Sequence, residues 1–105
     1  MVVQPTSLTI TADKLVNFPS SIGVAVLDNF DNLVQIPVYI NISLPEDFQL
    51  ETIPQPMATV NGVVNYTNLV AYKPYAKMHT IYITSPGLPS VPVQITVNPG
   101  TLCYF

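Results

Sequence analysis

The feature that most constrains the fold is the alternation of apolar and polar residues, which recurs in six segments of the chain. In the longest, LVQIPVYINISL at 33–44, a branched aliphatic residue occupies every even position, and most odd positions are polar or proline. Successive side chains of a strand point to opposite faces of a sheet, so this period of two predicts strands with one buried face. The other segments are 7–12, 21–28, 62–70, 78–84 and 90–97. No window has the spacing of an amphipathic helix, and we predict an all-β chain.

The same alternation predicts the residues of the hydrophobic core. The inward positions of the longest segment are Val34, Ile36, Val38, Ile40, Ile42 and Leu44. Those of the other segments are Leu8, Ile10, Ile22, Val24, Val26, Val64, Tyr66, His79, Ile81, Ile83, Val91, Val93, Ile95 and Val97. The stretch FQLETI at 48–53 is predicted as a weaker strand. Pro37 and Pro92 fall on outward positions, and since proline cannot donate a ladder hydrogen bond, the strands around them are expected at sheet edges or at bulges.

Turn-forming residues between these segments indicate the fold class. Asn61-Gly62 is typical of a tight hairpin turn, and Ser85-Pro86-Gly87 marks another short connection. About seven short strands, with a turn every 8 to 12 residues or so, predict an Ig-like β-sandwich of antiparallel strands, with a closed barrel as the alternative. We predict a single domain at 1–105, with its core at 5–99 and a tail or the start of a linker at 100–105.

Four stretches, taken in order, resemble the bacterial Ig-like repeats of the invasin and intimin type: VAVLDNFDN, LVQIPVYINISL, MATVNGVVNY and HTIYITSPGLPSVPVQITV. They are also similar to filamin-type Ig repeats. The resemblance covers residues 5–99 and departs from the pattern at Asp31, where a glycine is usual, and at His79, where an aromatic residue is usual. It implies a non-enzymatic structural or adhesion module, one of several in tandem, whose partners are neighbouring domains of the same chain. The invasin likeness implies an extracellular or cell-surface location, and the filamin likeness a cytoplasmic scaffold.

The charge of the chain excludes nucleic acid as a partner, and its apolar runs are too short to span a membrane. Three lysines, no arginine and six acidic residues give a net charge of −3. Binding to nucleic acid requires a basic surface that neutralises phosphates, and three lysines cannot supply one. No run reaches the roughly 20 apolar residues that span a bilayer, so we expect no membrane insertion.

The acidic stretch DNFDN at 28–32 is the strongest candidate for a metal site. Asp28 and Asp31 are the candidate ligands, because carboxylate and amide oxygens bind Ca²⁺. The closing glutamate of an EF-hand loop is missing, and Asp and Asn side chains also accumulate at turns, where they bond to their own backbone. We therefore favour a turn in which Phe30 covers the end of the core, and we expect no cofactor.

The sequence carries no catalytic set. His79 is the only histidine, and no Gly-x-Ser-x-Gly motif of a nucleophilic serine is present. Glu46 and Asp47 are adjacent on a loop, where neighbouring side chains usually point apart, so a solvated loop is favoured over an acid/base pair. His79 falls on an apolar strand face and is predicted to be a buried, hydrogen-bonded ring. We expect that the chain is not an enzyme.

The segment LVAYKPYAKM at 69–78 is the best candidate for a partner surface, because it is the longest connection without tight-turn residues. The residues that we assign to it are Tyr72, Lys73, Tyr75 and Lys77. Tyr39 and Tyr82 are predicted to point outward from strands. With these tyrosines, the alternative function is a glycan- or peptide-binding module, and the competing interpretation is that the tyrosines are ordinary strand residues.

Two triplets, at Asn41 and Asn65, fit the N-glycosylation acceptor pattern, and both asparagines are predicted to point outward. The single cysteine, Cys103, cannot form an internal disulfide. Since the chain also has no tryptophan, an antibody-type Ig domain is excluded.

Overall fold

The computed structural model describes residues 1–52 and 54–100, and all regular structure in them is β-strand. The strands are β1 (Val2–Gln4), β2 (Ser7–Thr11), β3 (Leu15–Asn17), β4 (Ile22–Ala25), β5 (Tyr39–Ser43), β6 (Met57–Ala58), β7 (Val63–Tyr66), β8 (Val70–Tyr72), β9 (Met78–Ser85) and β10 (Leu88–Asn98). The all-β prediction is confirmed, although the described residues form ten strands rather than about seven. These residues include no helix with the length and hydropathy of a membrane span.

The strands form two main sheets and one small ribbon. The three-stranded sheet has the order β1-β4-β7, the five-stranded sheet has the order β2-β10-β9-β5-β6, and β3 pairs with β8 in the ribbon. In the described part of the chain, all neighbouring strands are antiparallel except β2 and β10, which run parallel from Ser7 opposite Gln94 to Thr11 opposite Asn98. The sequence prediction missed the parallel pair because both kinds of strand show the same period of two.

One hydrophobic core receives side chains from both main sheets. The side chains with 0% exposure are those of Ile22, Ile40, Ala71, Ile81, Ile83, Val93 and Ile95. Burying one large aliphatic side chain stabilises a fold by about 1.5–3 kcal/mol. All of these except Ala71 were predicted to point inward, so the alternation identified the centre of the core correctly.

The longest alternating segment, 33–44, is strand only in its second half, where β5 lies. Ile36, predicted to point inward, is 74% exposed. The reason is that the first half pairs elsewhere: Leu33 bridges Leu27, and the N–H of Val34 donates to the C=O of Val26 at 2.9 Å. Residues 35–38 then form an irregular connection to β5, in which a period of two no longer decides which side chains are buried.

The segment 48–52 is not a regular strand, although the sequence predicted a weak one over 48–53. It does run beside β8, because the N–H of Glu51 donates to Val70 and the N–H of Tyr72 donates to Gln49, at 2.8 and 2.9 Å. Two backbone bonds are too few for a regular strand, yet they attach this segment to β8. Residue 53 lies outside the described residues.

The two prolines in the strand patterns have different outcomes. Pro37 lies outside every described strand. Pro92 lies in β10 opposite Tyr82 of β9, whereas the pairing of β10 with β2 begins only at Gln94. The side of β10 away from β9 is therefore free of a strand partner at Pro92, and the predicted edge position is confirmed.

The tight turn predicted at Asn61-Gly62 and the short connection predicted at Ser85-Pro86-Gly87 are both present. Asn61 and Gly62 have φ values of 52° and 81°, as a type I′ turn requires, and Val60 and Val63 exchange two backbone hydrogen bonds. Gly87, with φ of 77°, follows Pro86 between β9 and β10, which is the pattern of a type II turn. Local residue chemistry was sufficient for both predictions.

Tyr66 joins the two main sheets through a buried hydrogen bond. Its hydroxyl donates to the C=O of Ile40 at 2.8 Å, and burial raises the pKa of the phenol above 10.0. We predict that Tyr66→Phe lowers the free energy of unfolding by about 1–2 kcal/mol, because it removes a buried hydrogen bond between the sheets. Urea unfolding at pH 7 measures the loss, with Tyr82→Phe, at a 44% exposed residue, as the control. Equal stability of the two variants would contradict the prediction.

Candidate functional site

The corner at 28–32 is a turn held by the side chain of Asp28. Its Oδ1 accepts hydrogen bonds from the backbone N–H groups of Asn32 at 3.0 Å and Phe30 at 2.8 Å. These bonds hold the pKa of the Asp28 carboxyl below 3.8. Asp31 has a φ of 62°, which aspartate tolerates better than most residues. The predicted turn is confirmed, and among the described residues no three His, Cys, Asp or Glu side chains gather into a group that could hold a metal ion.

The expectation that Phe30 covers the end of the core is wrong, because its side chain is 84% exposed. The bridge between Leu27 and Leu33 closes the corner below it, and Phe30 is left at the tip of the turn. Nothing in residues 28–32 alone distinguishes a tip that folds over the core from one that points to solvent.

We predict that Asp28→Ala lowers the melting temperature at pH 7 by a few degrees, because the turn loses its side-chain acceptor. The folded-state pKa of Asp28 is lowered, so its contribution is present above about pH 3.8 and is lost as the pH falls through the lowered pKa. The difference in melting temperature between wild type and Asp28→Ala should therefore become smaller on acidification. Asp28→Asn keeps an acceptor oxygen, so its melting temperature should remain closer to that of wild type. Calorimetric melting between pH 7 and pH 2 tests this, and a gap that is constant over this range would contradict it.

The segment predicted as a partner surface forms one wall of a cleft of about 260 Å³. The cleft, which we call the tyrosine cleft, is lined by Glu46, Asp47, Gln49, Tyr72, Lys73 and Tyr75. Three of these residues, Tyr72, Lys73 and Tyr75, were assigned to the partner surface from the sequence. Lys77, the fourth residue of that assignment, does not line the cleft but forms an ion pair with Asp47, which does. The opposite wall, 46–49, was not predicted.

Backbone contacts hold the walls of the tyrosine cleft in place. The N–H of Tyr72 donates to Gln49, which joins the two walls directly, and the N–H of Lys73 donates to Lys14 at 2.9 Å. Pro74, which lies between Lys73 and Tyr75 in the sequence, is almost fully buried. The side chains that line the cleft therefore project from fixed backbone.

His79 lies behind the tyrosine cleft. Its ring is buried, with its centroid 4.9 Å from that of Phe48, and its Nε2 lies 2.9 Å from the C=O of Tyr75. Since a carbonyl only accepts, this bond requires that Nε2 carries a proton. Nδ1 has no hydrogen-bond partner among the described residues and faces Oδ1 of Asp47 at 3.6 Å. The prediction of a buried, hydrogen-bonded histidine ring is confirmed.

Asp47 and Lys77 form an ion pair at the tyrosine cleft. The hydrogen bond from Lys77, together with its charge, lowers the pKa of Asp47 below 3.8. The ammonium group of Lys73 lies 5.4 Å from the ring centroid of Tyr72, within the range of a cation–π contact. Asp47 is thus paired with Lys77, and Glu46 and Lys73 add one charge of each sign to the lining of the cleft.

Tyr39 and Tyr82 lie on the exposed face of the five-stranded sheet, as predicted. Tyr82 is opposite Ser43, whereas Tyr39 is opposite Ala58, four positions earlier along β5. At ~3.4 Å per residue, the two positions are about 14 Å apart along the strand. The two tyrosines therefore do not form one continuous platform.

Asn41 in β5 and Asn65 in β7 are exposed, as the alternation predicts for both glycosylation candidates. Their modification stays a prediction. Cys103 lies outside the described residues.

The sequence missed the wall at 46–49 because its link to 72–75 is a tertiary contact. The only local signal is the apolar Phe48 between Asp47 and Gln49, which anchors the wall in the core and is itself 1% exposed. Glu46 and Asp47 were interpreted as an ordinary solvated loop.

The chain matches no protein-family model, and no curated protein or solved structure shows significant similarity to it.

Proposed function

We propose that this chain is a non-enzymatic Ig-like β-sandwich module, and that it serves as a structural or adhesion element of a larger multidomain protein at the cell surface. Neighbouring modules of the same chain are its first partners. The proposal has two parts, the stacking of the sheets and the way in which the chain passes through the module.

The shared core supports the sandwich. Side chains of the three-stranded and five-stranded sheets belong to one buried cluster, and the hydroxyl of Tyr66 bonds across it to Ile40. The chain also changes sheets between β1 and β2, so that its first strands lie in different layers. Two packed sheets of mainly antiparallel strands with such connections are typical of Ig-like sandwiches.

The parallel pairing of β2 with β10 is the observation that carries the tandem arrangement. Because the two strands run in the same direction, β2 begins beside Gln94 in the middle of β10 and runs towards the end of the sheet where β10 ends, with Asn98 opposite Thr11. The molecule measures 48 × 22 × 21 Å, so it is about twice as long as it is wide. Modules in which the chain passes from one end to the other can be joined in line.

The segment that leaves β10 is held against the module. The N–H of Ala12 donates to the C=O of Asn98 at 2.8 Å, and the backbone of Gly100 lies so close to the carbonyl of Ala12 that a side chain at position 100 would collide with it. Because the chain is held where it leaves the module, a stiff connection to the next module is favoured over a flexible one.

Small-angle scattering on two copies joined from residue 100 of the first to residue 2 of the second tests the proposal. We expect a narrow distribution of shapes with a maximum dimension close to twice the 48 Å length of one module. The control has a Gly/Ser linker of about ten residues at the joint and should give a broad distribution, because such linkers behave as flexible coils. A directly joined pair that is as flexible as the control, or that folds side by side, would refute the tandem role.

A further inference from the structure

We propose that the tyrosine cleft binds a single sugar ring of a neutral glycan. This inference is independent of the tandem arrangement, since it concerns side chains on one module. It rests on the size of the cleft, its charge balance and the chemistry of its lining.

The cleft is small and largely pre-formed. Its volume of about 260 Å³ lies below the roughly 300–1,000 Å³ of pockets for drug-sized ligands, so one ring fits better than an oligomer. The bond from the N–H of Tyr72 to Gln49 joins its walls. Little backbone order has to be gained on binding, which favours recognition of a small ligand.

The charge balance favours a neutral ligand. Asp47 is already paired with Lys77, and the ammonium group of Lys73 already lies over the face of the Tyr72 ring. An anionic ligand would face the carboxylates of Glu46 and Asp47, and a cationic ligand would compete with two ammonium groups. A ligand without charge avoids both conflicts.

The lining offers the groups that a sugar ring requires. The ring of Tyr75 is half exposed and presents an apolar surface to the C–H face of a sugar. The amide of Gln49 can both donate to and accept from hydroxyl groups, and the carboxylate of Glu46 accepts charge-assisted hydrogen bonds. An apolar platform bordered by a few directed polar groups is the general form of a small-molecule site.

Asp47 separates the cleft from the buried ring of His79. Nδ1 faces Oδ1 of Asp47, a lining residue, at 3.6 Å, and this gap is longer than a hydrogen bond. Nδ1 has no exposed surface, so a ligand in the cleft would contact Asp47 and not the histidine ring.

The experiment is a titration of the single module, followed by backbone ¹H–¹⁵N spectra. The probes are methyl β-glucoside, methyl β-galactoside, methyl α-mannoside and N-acetylglucosamine, with glucosamine and glucuronic acid as charged comparisons. We expect saturable shifts of the amides at 46–49 and 72–75 with at least one neutral probe, at a millimolar Kd that is typical of a small site. Tyr75→Ala should raise this Kd about tenfold and Gln49→Ala about threefold, whereas Tyr75→Phe, which keeps the ring, should change it less than about twofold.

Tyr82→Ala is the matched control, because Tyr82 is a similarly exposed tyrosine on the five-stranded sheet. It should leave the Kd unchanged, and dispersed spectra of each variant establish that it is folded. Three results would overturn the proposal: no saturable shift at the cleft with any neutral probe, tighter binding of either charged sugar, or an equal effect of Tyr82→Ala and Tyr75→Ala.

Discussion

Replacing Ile40 with alanine should lower the free energy of unfolding by about 2–5 kcal/mol, whereas the same replacement at Ile36 should change it by less than about 0.5 kcal/mol. The alternation in 33–44 places both side chains on the inward face. In the structure Ile40 is 0% exposed between the sheets and Ile36 is 74% exposed in the connection before β5. Truncating a fully buried isoleucine removes its transfer free energy and leaves a cavity, while truncating an exposed one does neither.

Denaturant unfolding of the two variants, with fluorescence and circular dichroism as independent probes, measures the difference. The chemistry of the substitution is identical, so any difference between the variants comes from their surroundings. If Ile36→Ala cost as much as Ile40→Ala, the segment 33–44 would be one continuous strand, as its sequence pattern predicts, and the described path of the connection would be wrong.

Replacing Gly62 with alanine should cost about 2–4 kcal/mol, and replacing Gly87 should cost only about 1–2 kcal/mol. Each glycine has a positive φ, 81° and 77°, so alanine is strained in the left-handed region at both positions. At Gly62 the added Cβ would also lie 2.8 Å from the Cβ of Leu33 and 3.0 Å from the carbonyl oxygen of Val34. At Gly87 no atom lies within 4 Å of the added Cβ.

The pair of glycine variants separates backbone strain from steric conflict, because the strain is similar and only the conflict differs. Thermal and urea unfolding give the two free energies. Equal losses would mean that the hairpin tip at Asn61-Gly62 does not lie against the connection at 33–34, and that the turn is isolated in the way that Gly87 is.

The sequence predicted the tyrosines and lysines of the cleft but not the cleft itself. Tyr72, Lys73 and Tyr75 were identifiable because they fall in 69–78, which the sequence predicts to be one long connection. In the structure Tyr72 is the last residue of β8, and only Lys73 and Tyr75 lie in the connection that follows. Their partners, Glu46 and Gln49, precede them by more than twenty residues, and no periodicity relates the two segments. The meeting of 46–49 with 72–75 follows from the burial of Phe48 and from backbone bonds to β8, which are tertiary facts.

What the sequence determined by itself is local. The period of two identified β9 as a strand and also identified its buried side chains, such as Ile81 and Ile83, because side-chain direction in a strand depends only on neighbouring dihedral angles. Asn61-Gly62 predicted its turn for the same reason, since a positive φ is a property of single residues.

The tertiary structure alone decided the parallel pairing of β2 with β10, the exposure of Ile36 and Phe30, and the joining of the two cleft walls. Each of these depends on which distant segment a residue meets. A pattern with a period of two is the same for parallel and antiparallel partners, and it gives no information where the chain passes from one sheet to the other. The physical difference is that strand periodicity arises from the chain's own backbone geometry, whereas these contacts arise only when the whole chain has packed.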